Sequence, residues 1–206
     1  MNKYLVTIFL LFSFLSSPSW SETLTMDDLV ERNDLYYEKF SNVPFTGDIN
    51  QKNETQVTKG QFKNGKKDGE WLIFYNSGQL WLRENYKSGI KNGLWEIYNG
   101  NGELKRKEYF KNGKRDGEAL LYFRDVNQLD YKRNYKNGLN HGSFEYFWGN
   151  GKLNRKGIYV EGHPEGSWET YNFDGQLILK ENYKNKKRDG VYEEYFDSGQ
   201  LKRKGE

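Results

Sequence analysis

The sequence predicts an all-β protein, built as an elongated, single-layer, twisted sheet of tandem β-hairpin repeats with a short helical cap at its N-terminal end. Three observations predict this. A turn such as Gly65-Lys66-Lys67-Asp68-Gly69-Glu70-Trp71 returns at Gly89–Trp95 and Gly113–Ala119. Each period holds two glycine-marked turns, leaving runs of strand length that are too short for two helices. Aromatic residues supply 17% of the chain out of a hydrophobic total of 35%, so Tyr, Phe and Trp carry most of the available burial.

Composition narrows the function classes. The 206 residues include 32 basic and 29 acidic side chains, a formal net charge of +3, which argues against a dedicated nucleic-acid binder. There is no cysteine. Disulfides, thiolate metal sites, cysteine nucleophiles and a lipid anchor on cysteine are therefore excluded.

Met1-Asn2-Lys3 is a short basic start, Tyr4–Leu15 an apolar run, and Ser16–Ser21 a small-residue segment interrupted by Pro18 and Trp20. That layout is a secretory signal peptide over residues 1–21, with cleavage after Ser19 or Ser21, and the run is too short to span a bilayer. The expected mature chain is exported, periplasmic or secreted. Residues 22–59 form an N-terminal cap. Within them Thr25–Arg32 reads as a short helix with Thr25 as N-cap and acids in its first turn, and Phe40–Gly47 has the spacing of a worn first repeat.

Residues 60–206 divide into six repeats. The aromatic before each first turn falls at Phe62, Tyr86, Phe110, Tyr135, Tyr159 and Tyr183, and the closing glycine at Gly69, Gly93, Gly117, Gly142, Gly166 and Gly190. The spacing is 24 residues, with one extra residue in Arg124–Asn127. Two positions after each closing glycine stand Trp71, Trp95, Ala119, Phe144, Trp168 and Tyr192. Strand alternation puts Leu104, Arg106, Glu108 and Phe110 on one face, and Leu94, Glu96 and Tyr98 together on one face of the returning strand. Both faces then carry aromatics. Six two-stranded repeats at about 4.8 Å per strand give a ribbon about 60 Å long in which no repeat folds alone.

Tyr86-Lys87-Ser88-Gly89-Ile90-Lys91-Asn92-Gly93-Leu94-Trp95-Glu96-Ile97-Tyr98 resembles the bacterial variant of the MORN repeat, of the toxin-antitoxin system YwqK-family antitoxin type. The resemblance covers Gly60–Glu206 and departs from the pattern at Ala119, where Trp is expected, and Lys186, where Gly is expected. It implies a scaffold or antitoxin role and carries no catalytic motif across.

No catalytic residue, metal site or cofactor is expected. His141 and His163 fall in turn columns and read as turn variants. Glu84, Glu108 and Glu181 share one column and read as a solvated face, with a glycan hydrolase using such glutamates as the alternative from another class. Two binding surfaces remain. The first is a basic turn ridge of Lys63, Lys66, Lys67, Lys111, Lys114, Arg115, Lys136, Lys184, Lys187 and Arg188, stacked about every 10 Å, which suits an anionic lipid, envelope polymer or acidic protein. Turn chemistry alone also explains its composition. The second is an aromatic group, Tyr75, Trp81 and Trp148, for which inter-repeat packing is the competing explanation. The function read from the sequence is non-catalytic binding, foremost to a protein partner, with an envelope-surface, lipid or glycan adaptor as runner-up.

Overall fold

The computed structural model describes residues 23–123 and 127–206; the expected signal peptide and residues 124–126 of the segment that holds the extra residue lie outside them. A single turn of 3-10 helix, Met26–Asp28, opens the described chain. The Asp28 carboxylate accepts from the Thr25 backbone N–H (2.9 Å) and hydroxyl (2.6 Å). The expected helix stops there. Leu29–Arg32 is instead strand β1, paired antiparallel with β2, Leu35–Glu38. The reason is Asn33-Asp34, both at positive φ (52° and 60°): these two residue types tolerate the left-handed region and close a two-residue hairpin.

Everything after it is one antiparallel sheet. Strands β3 (Gly47–Lys52), β4 (Gln56–Lys63) and β5 (Lys66–Tyr75) begin a series in which each strand pairs with its neighbour in sequence, through to Leu201–Gly205. No pairing among the described residues joins the last strand to β3, so the sheet is an open ribbon. The repeated turn has a simple cause. Asn64-Gly65, Ser88-Gly89, Asn112-Gly113, Asn137-Gly138, Glu161-Gly162 and Asn185-Lys186 all have positive φ at both positions, the two-residue turn whose twist matches that of the strands. Lys186 holds φ +69° where the other copies have glycine, at a cost of about 1 to 2 kcal/mol for an L side chain.

Successive turns are tied together. Gly89 N–H donates to the Lys67 carbonyl (2.7 Å), Gly113 to Lys91 (2.9 Å) and Gly138 to Arg115 (2.7 Å). The preceding turn's side chain holds the next turn's first N–H: Asp68 accepts from Ser88 (2.8 Å), Asp116 from Asn137 (3.0 Å) and His141 from Glu161 (3.4 Å). The first hairpin follows the same rule, with Gly65 N–H donating to the Phe45 carbonyl (2.7 Å) and Asn64 N–H to the Thr46 hydroxyl (2.8 Å). Gly47 stands opposite Phe62 as Gly69 stands opposite Tyr86. Phe40, by contrast, is fully exposed. The rings that support Phe62 from the N-terminal side are Tyr36, centroid 4.8 Å away, and Phe45, 5.9 Å away.

A bulge recurs near the other edge. Ile73 pairs with Leu82 and Phe74 with Leu80, skipping Trp81, and the same step skips Lys105, Asp130, Asn154, Ile178 and Lys202. A bulge at one fixed place per repeat bends and twists the whole ribbon regularly.

Burial comes from rings laid along one face. Phe62 meets Trp71 edge-on at 5.1 Å, Tyr86 meets Trp95 at 5.5 Å, Trp95 meets Phe110 at 5.3 Å, and Tyr159 meets Trp168 at 5.0 Å; each such pair contributes about 0.5 to 1.5 kcal/mol beyond area burial. Trp71 and Trp168 are almost wholly buried, at 1% and 2% exposure, because the neighbouring strand offers a glycine. A Cβ on Gly60 or Gly157 would lie 2.2 Å from the indole of Trp71 or Trp168 respectively. At the N-terminal end Leu29, Phe45, Ile49, Phe62 and Trp71 form a buried cluster, with Leu24, Met26, Tyr36 and Tyr86 against it.

Gly157→Ala is therefore expected to lower stability by about 2 to 3 kcal/mol in urea unfolding, whereas Gly100→Ala, where an added Cβ meets nothing within 4 Å, leaves the midpoint nearly unchanged. Equal midpoints for the two variants would show that the indole does not rest on the backbone there.

Candidate binding surfaces

The basic residues of the turn ridge separate into two groups. Lys63, Lys66, Lys111, Lys114, Lys136, Lys184 and Lys187 are exposed at the hairpin tips. Lys67, Arg115 and Arg188 turn onto the aromatic face. Lys67 Nζ sits 4.2 Å from the Trp71 ring centroid and 5.1 Å from that of Tyr86, and Lys91, in the same column, sits 3.8 Å from Trp95 and 5.1 Å from Phe110. Burial lowers the Lys67 pKa, with the Glu84 charge opposing the shift. Arg115 binds Glu108 at 2.8 Å and Arg188 binds Glu181 at 2.6 Å. Sequence spacing gave one ridge because it fixes the strand position; the alternation of side chains across the turn splits it.

The glutamate column is not solvated. Glu84, Glu108 and Glu181 are 9%, 7% and 2% exposed, each directly opposite a tryptophan: Trp71, Trp95 and Trp168. Covered by rings, these carboxylates are retained by hydrogen bonds and cations, as burial of a charge requires. Glu84 accepts from the Tyr86 hydroxyl (3.1 Å), Glu108 holds Arg106 and Arg115, and Glu181 holds Arg155 and Arg188. They are structural counter-ions of the aromatic face.

Tyr75, Trp81 and Trp148 are half-buried at the second-turn edge. The Tyr75 hydroxyl donates to the Tyr98 carbonyl (3.2 Å), and the Trp148 indole N–H to the Tyr171 carbonyl (3.2 Å). Trp81 lies against Tyr75 at 5.7 Å. Tyr75 and Trp148 thus stitch one repeat to the next, while Trp81 packs on Tyr75 across its own hairpin.

The opposite face carries a feature that the reading of single repeats missed. One row of directly opposed residues crosses the sheet from β4 to the last strand. Every second position is basic: Lys59, Arg83, Lys107, Lys132, Lys156, Lys180 and Lys204. Between them stand Leu72, Glu96, Leu120, Glu145, Glu169 and Glu193. Arg83 binds Glu96 at 3.1 Å, Lys156 binds Glu169 at 2.8 Å and Lys204 binds Glu193 at 2.9 Å. The column is visible in the sequence at the repeat spacing; finding it requires aligning every position of the repeat, not only the glycines and rings.

Among the described residues no group of three or more potential metal-ligating side chains comes together, and no helix is long and apolar enough to cross a membrane. Two shallow recesses, of about 410 and 420 Å³, are lined by groups such as Lys59, Asp68 and Glu70, and Lys63, Asp68 and Lys87.

The family model of the MORN repeat variant matches residues 67–88, 91–112, 140–161, 164–185 and 188–206, just over half of the chain. The protein belongs to the MORN repeat variant family. Its matches start beside the closing glycine of one repeat and end in the next turn, so the family unit is the returning strand, the second turn and the outgoing strand. The match omits the repeat around Ala119, although Gly117–Tyr122 and Leu129–Lys136 pair as their counterparts do. No curated protein matches the chain.

The charged row makes stability depend on pH. Hydrogen bonds from Lys156 and then Tyr171 hold the Glu169 carboxyl below its ordinary value of 4.5. A lowered folded-state pKa gives stabilisation that is complete above 4.5 and is lost as pH falls through the folded value. Glu169→Gln should therefore flatten the fall of stability with acid below pH 4.5, while costing no more than about 1 kcal/mol at pH 7. Superimposable acid-unfolding profiles would contradict this.

Proposed function

We propose that this MORN-repeat protein is an exported, non-catalytic scaffold that binds a protein partner along the charged face of its sheet. The observation that carries the reading is the row from Lys59 to Lys204. Its charges, which alternate in sign except where Leu72 and Leu120 intervene, are set about 4.8 Å apart from residue to residue by backbone pairing, so the pattern is already in place before a partner arrives. Complementary charge of that kind confers specificity and association rate more than affinity. Membership of the MORN repeat variant family is consistent with a non-catalytic repeat protein engaged in protein or membrane interactions. The basic start and apolar run of Met1–Leu15 support export, and an antitoxin role would then act on a toxin outside the cytoplasm.

One observation favours the envelope-surface reading as a second. Ile90 and Leu139, each 52% exposed, stand at the hairpin tips among the exposed lysines, a mixture that suits an anionic lipid surface.

Affinity capture from an envelope extract of the source cell separates the two. The chain from Glu22 onward is compared with a row variant (Lys107→Gln, Lys156→Gln, Lys180→Gln) and a ridge variant (Lys63→Gln, Lys66→Gln, Lys114→Gln, Lys187→Gln). A discrete protein held by the unmodified chain and the ridge variant but released by the row variant is the expected result. Retention of anionic vesicles alone, abolished in the ridge variant, would overturn the protein-scaffold reading in favour of the surface adaptor.

A further inference from the structure

Asparagine followed by glycine is the pair most open to ring closure, because glycine has no Cβ to bar its nitrogen from the preceding side-chain amide. The chain holds seven such pairs, at Asn64, Asn92, Asn99, Asn101, Asn112, Asn137 and Asn150. The fold treats them unequally. In five, the glycine N–H is tied to a carbonyl: Gly65 to Phe45 (2.7 Å), Gly102 to Asn99 (3.0 Å), Gly113 to Lys91 (2.9 Å), Gly138 to Arg115 (2.7 Å) and Gly151 to Trp148 (2.8 Å). Gly93 opens the strand Gly93–Tyr98 and stands opposite Phe110, so ring closure at Asn92 would pull a paired strand out of register. Gly100 differs. It is exposed, lies outside the strands, and among the described residues its N–H donates to no acceptor.

The other half of the turn favours attack. Asn99 Oδ1 accepts from the Glu103 N–H (2.9 Å), a donor placed on the oxygen where negative charge gathers when a nucleophile adds to the amide carbon. An added Cβ at Gly100 meets nothing within 4 Å, so the backbone has room to swing toward the side chain. Asn101 is an internal comparison. Its Oδ1 takes the same Glu103 N–H (3.0 Å), and its Nδ2 donates to the same Glu103 Oε2, at 2.9 Å against 3.3 Å for Asn99. The two pairs share their surroundings and differ in the nucleophile: the Gly102 nitrogen is held by the Asn99 carbonyl, and the Gly100 nitrogen is not held.

We propose that Asn99 is a self-modifying site, at which the Gly100 nitrogen closes on the side-chain amide and the turn converts to aspartate and isoaspartate. The N–Cγ bond forms, the Cγ–Nδ2 bond breaks, and the Gly100 proton passes through water to the departing nitrogen, which leaves as ammonia. Water then opens the cyclic imide at either carbonyl. No oxidation state changes. The product carries a carboxylate where Asn99 Nδ2 donated to Glu103, so a hydrogen bond becomes a repulsion. Isoaspartate also lengthens the backbone beside Tyr98, whose carbonyl receives the Tyr75 hydroxyl. The stitch between the first two repeats therefore loosens as the chain ages. The charged row plays no part in it.

The test follows all seven asparagines by peptide mapping and mass spectrometry, with fragmentation that separates isoaspartate from aspartate, while the chain from Glu22 onward is incubated at pH 7.5 either folded or in urea. In the folded chain Asn99 should convert about tenfold faster than Asn101, the effect of one backbone hydrogen bond on the attacking nitrogen. In urea, where those bonds are lost, the seven rates should converge. Gly100→Ala, which leaves the unfolding midpoint nearly unchanged, should slow Asn99 about tenfold by putting a Cβ on the attacking residue. Asn99 converting no faster than Asn101 in the folded chain, or the same ranking persisting in urea, would overturn the proposal.

Discussion

A sheet one layer thick has no second layer to bury against, so each strand must be covered by side chains reaching over from its neighbours. In this protein that requirement is met by rings lying across adjacent repeats, and most closely where glycine lets an indole rest on the backbone, as Gly60 does for Trp71 and Gly157 for Trp168. The indole N–H of Trp71 donates to the Gln61 carbonyl (3.1 Å) and that of Trp95 to Asn85 (3.1 Å). The Asn85 carbonyl accepts a second bond, from the Asn92 N–H at 2.9 Å, where the strand steps out of register beside the closing glycine. The bulge, the ring and the hydrogen bond act together at Trp71 and Trp95, whereas the buried indole N–H of Trp168 has no acceptor. No repeat owns its core, which is why neighbour contacts must supply the stability of the array.

The two faces use charge differently. On the aromatic face, carboxylates are buried beneath rings and cations are clamped above them, so charge there is consumed by the fold. On the opposite face the Lys–Glu row is half-exposed or exposed apart from the buried Glu96, and exposed pairs contribute little to stability. Its value lies in pattern: a shift of one residue in register would move the whole row to the other face. Binding and folding thus draw on the same residue types, separated by the alternation of the strand.

The period, the hairpins and the open sheet were legible in the sequence because glycine and asparagine at fixed spacing dictate positive φ, and two-residue turns dictate pairing. Burial was less legible. Glu84, Glu108 and Glu181 read as solvated because a charged residue type normally is; only pairing opposite the tryptophans shows that rings cover them. Lys67 and Lys66 are adjacent in sequence yet lie on different surfaces. Thr25–Arg32 carried helix-capping signals, and they hold for one turn, but Asn33-Asp34 directs Leu29–Arg32 into a hairpin whose Leu29 closes the first buried cluster. Ala119 was legible as a departure from the repeat, but that Arg133 stands directly opposite it emerges only from the register.

Native-state hydrogen exchange on Phe144→Ala tests most directly the claim that stability passes from repeat to repeat through the rings. Phe144 touches Tyr159 at 5.5 Å and Trp168 at 5.4 Å. The account predicts that amide protection falls most in the strands flanking residue 144 and recovers with distance, leaving β4 and β5 close to their unmodified values. Uniform loss of protection from β3 to Gly205 would mean that the sheet melts as a single cooperative core, and would contradict it.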